Sequence, residues 1–147
     1  MSIFVDSNVL VYARDSSESV KQPKASEWMN LLWRSRSGRV SFQVLTEFYV
    51  TATRKLSPGL SADFARRDVR ALLAWHPVPM DAQVLQAAWD VEKRFRLSFW
   101  DALIVGAAQV AECEYLLTED LQDGQKLGDV RVVNPFAQSP ESILGGV

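Results

Sequence analysis

Ile3-Phe4-Val5-Asp6-Ser7-Asn8-Val9-Leu10-Val11-Tyr12-Ala13 opens the chain with an apolar run that stops on an acid. Ile3 to Val5 reads as a short buried strand, and Asn8 to Arg14 as a helical turn or short helix leaving its tip. The pattern returns late in the chain. Tyr115-Leu116-Leu117-Thr118 is a second buried run with Glu119 and Asp120 at its tip, and Val130 to Val133 is the last, closed by Asn134-Pro135. Helical patterns lie between. Ala25, Trp28, Met29 and Leu32 mark one face of a helix, with Pro23 near its start and Gly38 as its stop. Gln43 to Leu56 carries Val44, Phe48 and Ala52 on one face and breaks at Ser57-Pro58-Gly59. Ser61 caps a helix from Ala62 to Trp75 that turns Ala65, Val69, Leu72 and Leu73 inward, and Asp81 caps another to Phe95. Arg39 to Phe42 and Val78 to Met80 read as short strands or extended links, and Ala102 to Ala111 as an apolar helix opened by Asp101. Strands alternating with helices predict an α/β domain around a mainly parallel central sheet. One domain over 1–136 and a C-terminal tail over 137–147, without order of its own, are expected.

The 147 residues are 48% hydrophobic, enough for one domain with a real core. The formal net charge is -2, so any nucleic-acid partner must be met by a local basic patch and not by the overall field. Arg54-Lys55, Arg66-Arg67-Arg70 and Lys93-Arg94-Arg96 are the candidate patches, each also readable as a solvated helix face. A single cysteine, Cys113, excludes an internal disulfide, and a single histidine, His76, excludes paired-histidine chemistry within one chain. No signal-like start and no apolar run of membrane-spanning length is visible, so a cytoplasmic protein with no membrane partner is expected. Trp28, Trp75 and Trp89 sit at helical spacing among apolar residues and are expected in the core or an interface. Trp100 adjoins Asp101.

Open parallel sheets bind ligands beyond the carboxyl ends of their strands. Asp6 and Asp120 lie at such ends. Asp101 opens an apolar helix, and Glu47 lies between Leu45 and Phe48 in another. Acids in apolar settings are costly unless paired, protonated or bound to a metal. Several converging on one point repel each other, and a divalent cation offsets that repulsion. An all-oxygen donor set suits Mg²⁺ or Mn²⁺, which can activate a water and neutralise phosphate charge. The expected chemistry is therefore metal-assisted phosphoryl hydrolysis. Each acid also has a local reading: Asp6 and Asp101 as helix caps, Glu47 as a solvated helix residue, Asp120 as a loop residue.

Val5-Asp6-Ser7-Asn8-Val9-Leu10-Val11-Tyr12-Ala13 resembles the first motif of the PIN domain. Thr46-Glu47-Phe48 resembles the second, Phe99-Trp100-Asp101-Ala102-Leu103-Ile104-Val105-Gly106 the third, and Leu117-Thr118-Glu119-Asp120-Leu121-Gln122-Asp123-Gly124 the fourth, all in the family's order. Within that family the chain most resembles the VapC toxins of toxin–antitoxin pairs, which are similar in size. The resemblance implies a three-layer α/β/α fold and an endoribonuclease using Mg²⁺ or Mn²⁺. It implies Asp6 and Asp101 as metal ligands, with Glu47 and Asp120 completing the catalytic acids and Asn8 and Thr118 orienting them. Asp123 competes with Asp120 for the fourth place. It further implies an RNA substrate, an antitoxin protein that masks the site, and a homodimer. Two other classes stay open. A different Mg²⁺-dependent phosphohydrolase is one, although an aspartyl phosphatase would want an acid where Asn8 stands. A non-catalytic interaction module is the other.

Overall fold

A computed structural model describes residues 1–145. Its sheet has five strands in the order β2-β1-β3-β5-β4. They are β1 (Ile3–Val5), β2 (Gly38–Arg39), β3 (Tyr115–Leu117), β4 (Lys126–Leu127) and β5 (Val130–Val133). β1 pairs in parallel with both β2 and β3, β3 pairs in parallel with β5, and only β4 runs antiparallel. Ile3, Phe4 and Val5 are all buried. Successive strand residues point to opposite faces, so β1 is covered on both. That is the three-layer α/β arrangement, and the fold class is the one expected.

The helices follow from local chemistry. α1 (Ser7–Arg14) leaves the tip of β1, and α2 (Lys21–Ser35) packs on it. α3 (Phe42–Arg54) starts at Ser41, whose Oγ accepts from Val44 N at 3.2 Å. α4 (Ala62–Leu72) starts at Ser61 and ends in a 3-10 turn (Leu73–Trp75), and α5 (Ala82–Phe95) starts at Asp81. α6 (Phe99–Val110) is nearly all apolar and lies against α5. Val44, Phe48 and Ala52 of α3 and Val84, Ala88 and Val91 of α5 are buried, as their spacing requires.

Several local expectations are corrected. Gly38 does not stop α2. Arg36, in the left-handed region at φ 55°, does so, and Gly38 lies in β2, where a Cβ would run into the Trp75 ring. Leu73 is not inward but 46% exposed, because the chain tightens into the 3-10 turn that begins at it. Val78 makes one parallel bridge to Ser41, and no strand extends to Met80. Trp28 and Trp75 are in the core, whereas Trp89 is 55% exposed, outside the core half of its expected place. The antiparallel β4 carried no sequence signal strong enough to read.

The segment expected to lack order forms a short helix, α7 (Pro140–Leu144), capped by Ser139. Trp28 Nε1 anchors the approach to it, donating to the carbonyls of Pro135 and Gln138, each at 3.2 Å. The last two residues of the expected tail lie outside the described residues. Among the described residues, no helix is long and apolar enough to cross a membrane.

Gly106 sets how closely α5 and α6 approach. A Cβ there would stand 2.9 Å from Ala88 N and 3.2 Å from Val84 O, both backbone atoms that cannot swing aside. Gly106→Ala should therefore cost about 1–3 kcal/mol, the usual range for an overpacked core. Chemical denaturation of the two proteins checks this, and equal midpoints would contradict the close approach.

Candidate active site

The switch point of the sheet sets the site. From β1 the chain passes to β2 on one side, while β3 lies on the other, so a crevice opens at the carboxyl ends of β1 and β3. Asp6 and Thr118 emerge there side by side. Asp6 N donates to Leu117 O at 3.0 Å, which carries the pairing with β3 one residue past the end of β1.

Asp6 is a 6% exposed carboxylate with every oxygen engaged. Its Oδ1 accepts from Ser7 N at 2.7 Å, so the local reading as the cap of α1 holds as well. Its Oδ2 accepts from the Thr118 hydroxyl at 2.8 Å and from Asn8 Nδ2 at 3.4 Å. Asn8 Nδ2 also lies 3.1 Å from both Thr118 Oγ1 and Asp120 Oδ2. Asn8 and Thr118 thus tie the tip of β1 to the tip of β3. Asp120 N completes the tie by donating to Thr118 Oγ1 at 3.1 Å.

Glu47 arrives from the middle of α3, where Ser7 Oγ donates to its Oε1 at 3.3 Å. Asp101 stands in the first turn of α6. It is not the cap: Ser98 is, accepting from Asp101 N at 3.2 Å. Among the described residues the Asp101 carboxylate has no hydrogen-bond partner, but its charge acts on Glu47.

Burial, against the Thr118 and Ser7 hydrogen bonds, pushes the Asp6 carboxyl up to about 7, with the charges of Asp120 and Glu47 adding to the effect. Burial also raises Glu47, again with help from neighbouring anions, Asp101 and Asp120. The four acids therefore share one field. Among the described residues no three His, Cys, Asp or Glu side chains close around an ion by themselves. The donor set fits a hard divalent cation that takes one or two carboxylates and keeps its waters. Asn8 Oδ1, buried and without a partner, leaves an acceptor for such a water.

Other acids of the fourth motif point elsewhere. Asp123 accepts from Asn134 N at 2.8 Å and Gln138 Nε2 at 3.0 Å, which ties down the segment after β5. Glu119 faces α1 and α2, bonded to Tyr12 and Lys21. Ser7 had not been singled out from the sequence, although its place between Asp6 and Asn8 was a signal. Cys113 is buried, which pushes its thiol up to about 11 and leaves it no use as a nucleophile. Trp100, beside Asp101, is 65% exposed.

The family model of the PIN domain matches residues 3–123. No curated protein matches the chain in sequence. Among solved structures, a toxin–antitoxin complex from Klebsiella pneumoniae superimposes with a TM-score of 0.64 at 19% identity, over 92% of this chain and 98% of that one. VapC20 of Mycobacterium tuberculosis, described as a sarcin–ricin loop cleaving toxin, gives 0.62 at 22% identity, over 88% and 99%. VapBC2 of Rickettsia felis, bound to a promoter DNA fragment, gives 0.60 at 14% identity, over 90% and 97%. At such identities these likenesses speak for the fold.

The raised Asp6 carboxyl makes a stability prediction. Its folded value of about 7 exceeds the ordinary 3.8, so the folded state holds this proton more tightly than the unfolded chain does. Its contribution to stability is therefore lost as pH rises between those two values. A tenfold preference is worth about 1.4 kcal/mol, and about 1 kcal/mol moves the melting point of a domain this size by roughly 2–4 °C. In chelator, melting curves from pH 5 to pH 8 should fall more steeply for the wild type than for Asp6→Asn. Parallel curves would show that Asp6 is not strained.

Proposed function

The chain belongs to the PIN-domain family, and from the acids it gathers we propose that it is a metal-dependent endoribonuclease, the toxin of a toxin–antitoxin pair. The observation that carries this reading is Asp6: a buried carboxylate at a strand tip, surrounded by further acids and raised by burial and by their charge. Such a group is unfavourable in isolation and useful beside a cation.

Asp6 and Asp101 would hold Mg²⁺ or Mn²⁺, which when bound neutralises phosphate charge and makes a water acidic enough to attack. Thr118 orients Asp6 through its hydroxyl, and Asn8 holds Asp6 and Asp120 at one spacing. Burial raises the Glu47 carboxyl, which makes it a better proton acceptor than an ordinary glutamate. Asp120 completes the acidic rim opposite Asn8. A site of this kind cleaves phosphodiesters without reading bases, so sequence preference lies in the surfaces around it. Arg54 is two turns along α3 from Glu47, on the same side, and is one cation placed to meet a phosphate.

The solved relatives support the partner assignments. One of them is described as a toxin–antitoxin complex, one as VapBC2 bound to promoter DNA, and one as a toxin cleaving the sarcin–ricin loop. On this reading the chain pairs with an antitoxin protein that covers the site, acts on RNA, and self-associates as a homodimer.

The test is cleavage of a panel of structured RNAs, the sarcin–ricin hairpin included, in Mg²⁺ or Mn²⁺. Asp101→Asn should reduce cleavage by on the order of 100-fold or more, the scale for losing a group that stabilises transition-state charge. Its melting point should stay near that of the wild type, because Ser98 and not Asp101 caps α6. Full cleavage in chelator, or an unaffected Asp101→Asn protein, would overturn the reading.

A further inference from the structure

The acid beside Asp120 is engaged in a network of its own. Glu119 Oε1 accepts from the Tyr12 hydroxyl at 2.7 Å, and Oε2 accepts from Lys21 Nζ at 2.9 Å. Lys21 Nζ also donates to the Tyr12 oxygen at 3.4 Å. The same ammonium lies 4.7 Å from the centre of the Tyr12 ring and 5.3 Å from that of Phe136, and the two rings meet edge to face at 5.2 Å. Tyr12 comes from α1, Lys21 opens α2, and Phe136 follows β5. Two helices thus meet on one carboxylate, and the segment after β5 packs on the groups that bind it.

Their placement matters because Glu119 and Asp120 are consecutive. Asp120 meets Asn8 at 3.1 Å, and Glu119 meets Tyr12, one turn further along α1, at 2.7 Å. Asp120 itself is otherwise tied by the bond from its N to Thr118 Oγ1 and by Asn8. A loose Glu119 would also bring a further negative charge toward acids that already raise one another. Bonding to Lys21 neutralises it at a distance. Ion pairs in contact with solvent add little to stability, and this pair is 35% and 21% exposed, so stability alone gives a weak reason for this construction. Charge-assisted bonds in fixed directions are well suited to orientation.

We propose that Tyr12, Lys21 and Glu119 are positioning residues that hold Asp120 toward Asn8 and Asp6 and keep the Glu119 charge out of the acidic site. The proposal rests on the reading of those acids as a metal site. Tyr12 supplies direction, Lys21 supplies the opposing charge, and Phe136 seats the ammonium. None of the three is required to touch RNA or metal.

The experiment is Mn²⁺ binding to the full chain by titration calorimetry, alongside RNA cleavage. Glu119→Ala should weaken Mn²⁺ binding by about 10–100-fold, the range for groups that orient metal ligands. Lys21→Arg should stay near the wild type, because a guanidinium can make the same bonds, while Lys21→Met should follow Glu119→Ala. Because the clamp acts through Asp120, the double variant Glu119→Ala/Asp120→Asn should lose no more than Asp120→Asn alone. A Glu119→Ala protein with lowered melting point but unchanged Mn²⁺ affinity and cleavage overturns the proposal, as do additive losses in the double variant. If Glu119→Ala does not fold, Tyr12→Phe removes only a hydroxyl and should weaken binding in the same direction; wild-type affinity there overturns it too. Asp6→Asn separates the two levels. Loss of Mn²⁺ binding in Asp6→Asn with none in Glu119→Ala removes the clamp alone. Unchanged binding in Asp6→Asn, or a wild type that binds no Mn²⁺, removes the metal-site reading and the clamp with it.

Discussion

Three residues of β1 lie in parallel register with three residues of β3: Ile3 opposite Tyr115, Phe4 opposite Leu116, Val5 opposite Leu117. Everything in the site depends on that pairing. It joins positions more than a hundred residues apart, and it does so in a direction that puts both carboxyl ends at the same edge. A hairpin would have sent the tips to opposite edges. Parallel pairing requires long crossovers, and the helices of those crossovers are the ones that deliver Glu47 and Asp101.

The second constraint is electrostatic. The pairing buries Asp6 beside a hydroxyl, an amide and other acids, an arrangement no apolar core would select for stability. Its hydrogen bonds hold the carboxylate in place without neutralising it. One cation beside this edge of the sheet, Lys21, is bound to Glu119 and turned toward Tyr12 and Phe136. Negative charge is thereby concentrated at the crevice while the rim carries its own neutralisation. A chain of net charge -2 can present such a pole without being strongly acidic as a whole.

Particular residues show how far reading the chain by itself reaches. The strand at Ile3–Val5 and the helix at Phe42–Arg54 were legible because burial leaves a periodicity in the sequence. Gly38 was misread as a helix stop because a glycine that yields space to a tryptophan looks the same as one that adopts a left-handed turn. Asp101 was a plausible cap until the geometry of the α6 start assigned that role to Ser98. The motif resemblance favoured Asp120 for the fourth place and left Asp123 as a rival. The structure points one to Asn8 and the other to Asn134 and Gln138.

The sequence by itself determined the element types, the acids at strand tips and the order of four motifs, since these depend on local pattern and on residue identity. Which acids share one field, what neutralises Glu119 and why Asp6 is raised were decided only by tertiary structure. Those properties depend on distances between positions such as 6, 47 and 118, and local pattern carries no information about distances across a parallel crossover.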